Sequence, residues 1–137
     1  VKDNEMNCHC GKPKSYEECC GPIHSGEVLA ATSADLMRAR YSAFCVKDID
    51  FLYESLDPQN RSDFSRPDTE TWANNATFTG LEIIKTEDNG NKGQVEFKAH
   101  YTIGAEAYLH HELSTFRKQA GQWFYKSGKI YETAARS

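Results

Sequence analysis

The sequence has no long apolar run: its uninterrupted apolar stretches are only a few residues long. A membrane-spanning helix needs roughly 20 such residues, so no segment is expected to cross a bilayer. Nor is there a surplus of positive charge. Sixteen Lys and Arg stand against 20 Asp and Glu, for a net charge of -4, which argues against a generic nucleic-acid binder. No basic, apolar and small-residue triplet marks a secretory signal at the start, and the chain opens at Val1 rather than Met, as a trimmed sequence would. Neither a phosphate-cradling glycine loop nor a nucleophile–base–orienter set can be found. Internal repeats and low-complexity tracts are also lacking. With 137 residues, 39% hydrophobic and 26% charged, the chain suits one core-forming domain plus a small appendage.

What stands out is where the cysteines lie. Four of five crowd into residues 8 to 20, and Cys45 sits alone on a predicted helix. Disulfide frameworks close long loops, whereas four cysteines in so short a span close almost nothing. Metal ligation in a reducing, cytoplasmic setting is the better reading. Cys8 and Cys10 can present two sulfurs from one tight turn, with Gly11 free to take a conformation other residues avoid. Cys19 and Cys20 complete a tetrahedral shell from a short helical turn that Ser15 can cap. Zn2+ suits four thiolates, and iron is a second option. Lys12, Lys14 and backbone N–H groups can offset the negative charge of such a centre. A shell filled by protein atoms leaves no coordination position for substrate, so the ion is structural. Two alternatives remain: the thiols stay free or oxidised, or His9 or His24 displaces one cysteine.

Beyond Pro22 the pattern becomes helical. Thr32 or Ser33 opens a helix that runs to about Lys47, with Asp35 near its positive end. At about 100° per residue, Leu36, Ala39, Ala43, Phe44 and Val46 share one face, with Arg40 in its middle and Arg38 opposite. Further helices are predicted over Ile49 to Leu56 and over Arg66 to Asn75, the latter opened by Ser65 and Pro67 and anchored by Trp72. From Thr77 the period becomes two. Strands are predicted over Phe78 to Thr86, Gln94 to Ile103, Ala107 to Lys118 and Gln122 to Ser127, with Asp88-Asn89-Gly90-Asn91 and Ala120-Gly121 as turns. Helices followed by antiparallel strands make an α+β fold, whose sheet must curl around the first helix to cover one face.

Cys8, Cys10, Gly11, Lys14, Tyr16, Cys19 and Cys20 match the SEC-C motif, the small metal-binding module at the end of the SecA translocation ATPase. Departures are Lys12 for Ser, Pro13 for Gly, Ser15 for Lys and Glu17-Glu18 where lysines are common; the last two remove basic character, and none removes a ligand. The remainder resembles the YchJ-like family of uncharacterised bacterial proteins, through Leu36-Met37-Arg38-Ala39-Arg40-Tyr41-Ser42-Ala43-Phe44, Glu112-Leu113-Ser114-Thr115-Phe116 and Gly121-Gln122-Trp123-Phe124-Tyr125. That resemblance implies an NTF2-like cone, a curved antiparallel sheet wrapped on helices. It also divides the chain into a metal-binding motif over 1–27 and an NTF2-like domain over 28–137.

A cone has an open end, and Arg40, Tyr101 and Glu112 are candidate pocket residues. A guanidinium on an apolar face needs a partner. Glu112 shares a strand face with Ser114 and Phe116, so an Arg40–Glu112 ion pair is expected, structural in the simplest case. His110 and His111 point oppositely and cannot chelate one ion together; each reads as a surface histidine. Arg38 reads as solvated, with contact to the knuckle as the alternative, Trp123 and Tyr125 as core or pocket wall, and Cys45 as a structural thiol. Two functions follow. One is a non-enzymatic module that docks a protein through the knuckle, secretion- or ribosome-associated by the SecA likeness. The other is a small enzyme or small-molecule binder using the cone, with Glu112 or a histidine as acid–base group. A filled cone would favour the first, and a pocket with several convergent ionisable groups the second.

Overall fold

The structure, a computed structural model, describes residues 7–131; the ends of both predicted units, 1–6 and 132–137, lie outside them. The knuckle is a tight turn, a 3₁₀ turn over Tyr16–Glu18 and helix α1 over Cys20–Ser25. Helices α2 (Ser33–Val46), α3 (Ile49–Glu54) and α4 (Arg66–Asn75) follow, with a 3₁₀ turn over Pro58–Asp63 between the last two. Strands β1 (Thr77–Asn89), β2 (Lys92–Ile103), β3 (Glu106–Gln119) and β4 (Gln122–Ile130) form one antiparallel meander in sequence order.

The helix ends obey local chemistry. Thr32 Oγ1 accepts from the Asp35 amide at 3.0 Å and Ser65 Oγ from the Asp68 amide at 3.3 Å, each satisfying an orphan N–H. Helix α2 stops at Lys47, whose φ of 62° places it in the left-handed region that closes helices. β1 and β3 run longer than expected at both ends, β2 at its start and β4 at its end, because pairing with a neighbour stabilises residues that lack the apolar alternation. Bulges interrupt β1 between Phe78 and Gly80 and between Ile83 and Lys85, and β4 between Tyr125 and Ser127, opposite Thr115 and Phe116 of β3. Each extra residue bends its strand and increases the local twist, so the meander curls into a cone around α2.

The alternation read from β2 holds where the sheet is covered. Val95, Phe97 and Ala99 are buried against α2, while Tyr101 is half-buried and Ile103 exposed. Phe116, Val95 and Leu52 are the largest apolar side chains sealed in the core, each adding about 1.5–3 kcal/mol of burial free energy. Helix α2 departs from the expected single stripe. Leu36, Met37, Ala39, Arg40, Tyr41, Ser42 and Ala43 are all buried, because the cone covers one side and the knuckle the other, and Val46 ends up exposed. Trp72 likewise is no buried anchor: Ala73 seats α4 in the core, and Trp72 keeps a third of its surface.

Beyond α3, the chain joins β4. The amide of Asp57 donates to the carbonyl of Tyr125, and the amide of Tyr125 to that of Ser55, both at 2.8 Å. The fully buried Asp57 carboxylate receives Arg117 Nε at 2.7 Å and Nη2 at 2.8 Å, a bidentate fork. The Arg117 hydrogen bond holds the Asp57 carboxyl down at about 2, against an ordinary 3.8. A depressed carboxylate contributes stability above its unfolded pKa and loses it as pH falls through the folded one. Asp57→Asn should therefore lower the thermal midpoint at pH 7, with the gap to the parent closing as pH falls from about 4 towards 2. A gap independent of pH in paired melts would contradict this.

Candidate metal centre and cone pocket

The four predicted cysteines meet. An Asn7–Ser15 bridge and the Cys8 N–H donating to Lys14 O at 2.6 Å fold the first strand of the knuckle back on itself. The Gly11 N–H donates to Cys8 O at 3.1 Å with φ at 99°, the left-handed turn the motif requires. Ser15 makes no side-chain cap; its backbone opens the 3₁₀ turn, which ends at Cys19 just as α1 begins at Cys20. The four sulfurs lie within 4.8 Å of one another, with Cys10–Cys19 at 3.6 Å and Cys19–Cys20 at 4.0 Å. Metal–sulfur bonds of about 2.3 Å in a tetrahedron give sulfur–sulfur edges of about 3.8 Å. The donor set fits a thiolate-preferring ion.

Electrostatics point the same way. A hydrogen bond from Cys20 draws the Cys10 thiol down to about 5, whereas burial pushes Cys19 up to about 12. Cys20 is raised too, first by its hydrogen bond to Cys10 and then by burial. One thiolate forms readily, and further ones in the same small volume need a cation among them. Cys45 stands apart, raised to about 12 by burial, as befits a structural thiol.

His24 is a strut rather than a ligand. Its Nε2–H reaches Ala39 O and its Nδ1 the Tyr16 hydroxyl, both at 2.7 Å, so both ring nitrogens are engaged, while His9 is exposed. Arg38, expected in solvent, instead donates to Cys10 O at 3.0 Å. Lys12 pairs with Asp35 at 3.1 Å, and Cys8 Sγ lies 3.7 Å from Ser42 Oγ. Lys12 and Arg38 thus bring positive charge beside the knuckle, and the His24 Nε2, Arg38, Lys12 and Cys8 contacts all join it to α2.

The opposite side of α2 lines a cavity of about 220 Å³. Its apolar wall includes Met37, Phe44, Trp72, Phe78 and Phe97, and its polar end gathers Arg40, Glu112, His110, Ser114 and Tyr125. The expected Arg40–Glu112 ion pair does not form: among the described residues Arg40 enters no ion pair within 4.0 Å. Tyr125 stands between them. Its hydroxyl donates to Glu112 Oε2 at 2.7 Å, and its ring lies 4.5 Å from the guanidinium carbon, a cation–π contact. Arg40 Nη1 donates to Leu52 O at 3.0 Å and Ser55 Oγ at 2.6 Å. Burial pushes the guanidinium down to about 10, which leaves it cationic at neutral pH.

Glu112 Oε2 also accepts from Ser114 at 2.6 Å, and Oε1 receives His110 Nε2 at 2.7 Å. Burial alone would raise Glu112, but these donors outweigh it and hold the carboxyl below its ordinary value. His110 therefore belongs to the pocket rather than the surface, and the period of two that turns Glu112 inward would have placed it there. His111 points the other way, to Glu96 at 2.8 Å. Tyr101 does not line the cavity; it joins Trp72 and Phe78 in an aromatic cluster beside it, with ring centroids at 5.2 and 6.1 Å. Ser55 and the bridging role of Tyr125 had no sequence signal, since both depend on the β4 contact beyond α3.

Residues 32–128 match the family model described as YchJ, middle NTF2-like domain. The chain belongs to the YchJ-like UPF0225 family. It is 38% identical over 124 residues to UPF0225 protein GSU1048 of Geobacter sulfurreducens, covering 88% of this chain and 77% of that protein. It is 37% identical over 128 residues to UPF0225 protein SCO1677 of Streptomyces coelicolor, covering 91% and 96%. Among solved structures, a SEC-C motif containing protein from Rhodopseudomonas palustris superposes with a TM-score of 0.87 at 37% identity, covering 93% of this chain and all of that one. A second, from Psychrobacter arcticus, gives 0.80 at 26%, covering 99% and 89%. YchJ-like fold and SEC-C knuckle are thus those expected: an NTF2-like cone carrying an N-terminal cysteine cluster that can hold a metal ion.

Gly128 guards the pocket's polar end. A Cβ there would come 2.5 Å from both Glu112 Cδ and Tyr125 Oη. Gly128→Ala should cost about 1–3 kcal/mol and shift the His110 imidazole resonances while leaving metal content unchanged. Parent-like melting together with unmoved His110 signals would contradict the geometry.

Proposed function

We propose that this YchJ-like chain is a small-molecule-binding protein of the bacterial cytoplasm, in which a structural zinc knuckle braces the helix that forms the binding wall. The observation that supports it is the convergence of Arg40, Glu112, His110 and Tyr125 on one end of an apolar cavity. Burying such groups costs free energy that a plain apolar core would avoid, and pockets of this composition are where ligands bind. At about 220 Å³, the cavity lies below the ~300–1,000 Å³ typical of drug-sized sites, so the ligand is small.

Zinc, with iron the second option, would be held by Cys8, Cys10, Cys19 and Cys20. It would supply closure of the knuckle and no open coordination site. The thiols' lack of disulfide partners suits a reducing compartment. His110 oriented by Glu112 is half of an acid–base set, but among the described residues no nucleophilic side chain contacts it, and we favour binding over catalysis. Protein docking is a second reading. Val28 and Leu29, each half exposed, border a cleft shared with Lys12, Lys14 and Glu18 beside the knuckle. A secretion- or ribosome-associated partner would meet the chain there.

Thermal-shift screening of the reduced full chain against a library of small metabolites tests the pocket. At least one compound should raise the midpoint of the parent and not of Ala99→Leu, whose larger side chain fills the cavity. If nothing shifts the parent, or both proteins respond alike, the pocket is not a ligand site. Leu29→Asp should keep that ligand response and lose any captured protein; retained capture would remove the docking surface.

A further inference from the structure

The hydrogen-bond inventory of the pocket is lopsided. Both oxygens of Glu112 are taken, Oε1 by His110 and Oε2 by Ser114 and Tyr125. The Ser114 and Tyr125 hydroxyl protons are committed to that same carboxylate. Arg40 is nine-tenths buried, yet only its Nη1 has acceptors among the described residues, Leu52 O and Ser55 Oγ. A guanidinium has five N–H donors, so those on Nε and Nη2 are left over. Among the described residues neither nitrogen is a sealed polar atom without a partner, and Arg40 lines the cavity. With Nε2 of His110 donating to Glu112, the Nδ1 side of the ring is what remains of that residue, at a position where the side chain is 30% exposed.

From this we infer that the cavity takes a small organic monoanion with an apolar body, its carboxylate received side-on by Nε and Nη2 of Arg40. That edge of a guanidinium matches the two oxygens of a planar carboxylate. The chain already makes the same fork elsewhere, where Arg117 Nε and Nη2 hold Asp57 at 2.7 and 2.8 Å. Among the described residues Arg40 is the one guanidinium lining the cavity and Glu112 already carries a negative charge there, so a monoanion is the better match; a phosphate dianion would face Glu112 with too little cation. The remaining wall, with the rings of Phe44, Trp72, Phe78 and Phe97, suits a flat or aliphatic hydrocarbon body and offers it no further polar partner.

The inference rests on the pocket being a ligand site, and three isosteres separate the two claims. Phenylacetate, phenylacetamide and phenethylamine share a body and differ in the charge of the head. Binding to the reduced full chain is followed by Trp72 and His110 chemical shifts in NMR titrations. Phenylacetate should bind on the order of tenfold or more tightly than the amide, with the amine weakest. Arg40→Lys, which keeps the charge and loses the fork, should erase most of that preference. Arg40 also holds Ser55, so the acid-to-amide ratio on the unmutated protein decides if the variant does not fold. Equal binding of acid and amide would overturn the anion assignment and leave the pocket standing, as would a preference for the amine, which would make Glu112 the recognising group. Absence of any shift with all three probes would overturn both.

Discussion

Helix α2 is held from two sides, and every functional feature of the molecule hangs on that. On one side the curled sheet closes over Met37, Arg40 and Tyr41. On the other, Cys8 meets Ser42, His24 meets the Ala39 carbonyl, and Arg38 reaches back to Cys10. Small residues at 39, 42 and 43 let the knuckle come close. A helix packed this way cannot rotate or slide without breaking contacts on both faces, so the side chains it sends into the cone are held in register. A metal ion among the four sulfurs would fix the knuckle, and through it the wall of the cavity.

Inside the cone, two buried charges avoid one another. Arg40 rests on carbonyl, hydroxyl and aromatic face, and Glu112 on imidazole and two hydroxyls, with Tyr125 serving both. A direct pair would have neutralised the site and consumed the Nε and Nη2 donors. Keeping the charges apart leaves each held by its own hydrogen-bond partners, and it leaves the guanidinium with unused capacity. The same chain forms a complete Arg–carboxylate fork where only structure is required, at Asp57 and Arg117. Arg117 is thus held by a carboxylate, and Arg40 by a carbonyl, a hydroxyl and an aromatic face.

Much of this was readable from residue order. The cysteine spacing brought four sulfurs together because a tight turn and a short helical turn leave them little choice, and Gly11 marks that turn. Caps at Thr32 and Ser65 located two helices, and the period of two located the strands. Arg40 and Glu112 line one cavity, since a helix face and a strand face both point inward there. Their failure to pair was not legible. It depends on Tyr125, whose position is set by the link between residues 55–57 and β4, a long-range contact with no local pattern. Arg38 was misread for a similar reason: opposition to the apolar stripe means solvent only when nothing else packs there, and the knuckle does. The Asp57–Arg117 fork went unseen because both residue types are ordinary surface residues until a carboxylate is buried.

The most direct test of the claim that sulfur alone encloses a structural ion is metal X-ray absorption on the full chain, purified reduced and without chelator. One equivalent of zinc, or of iron, surrounded by four sulfurs at about 2.3 Å is the predicted result. A shell containing nitrogen or oxygen, or protein that folds fully with no metal bound, would contradict it.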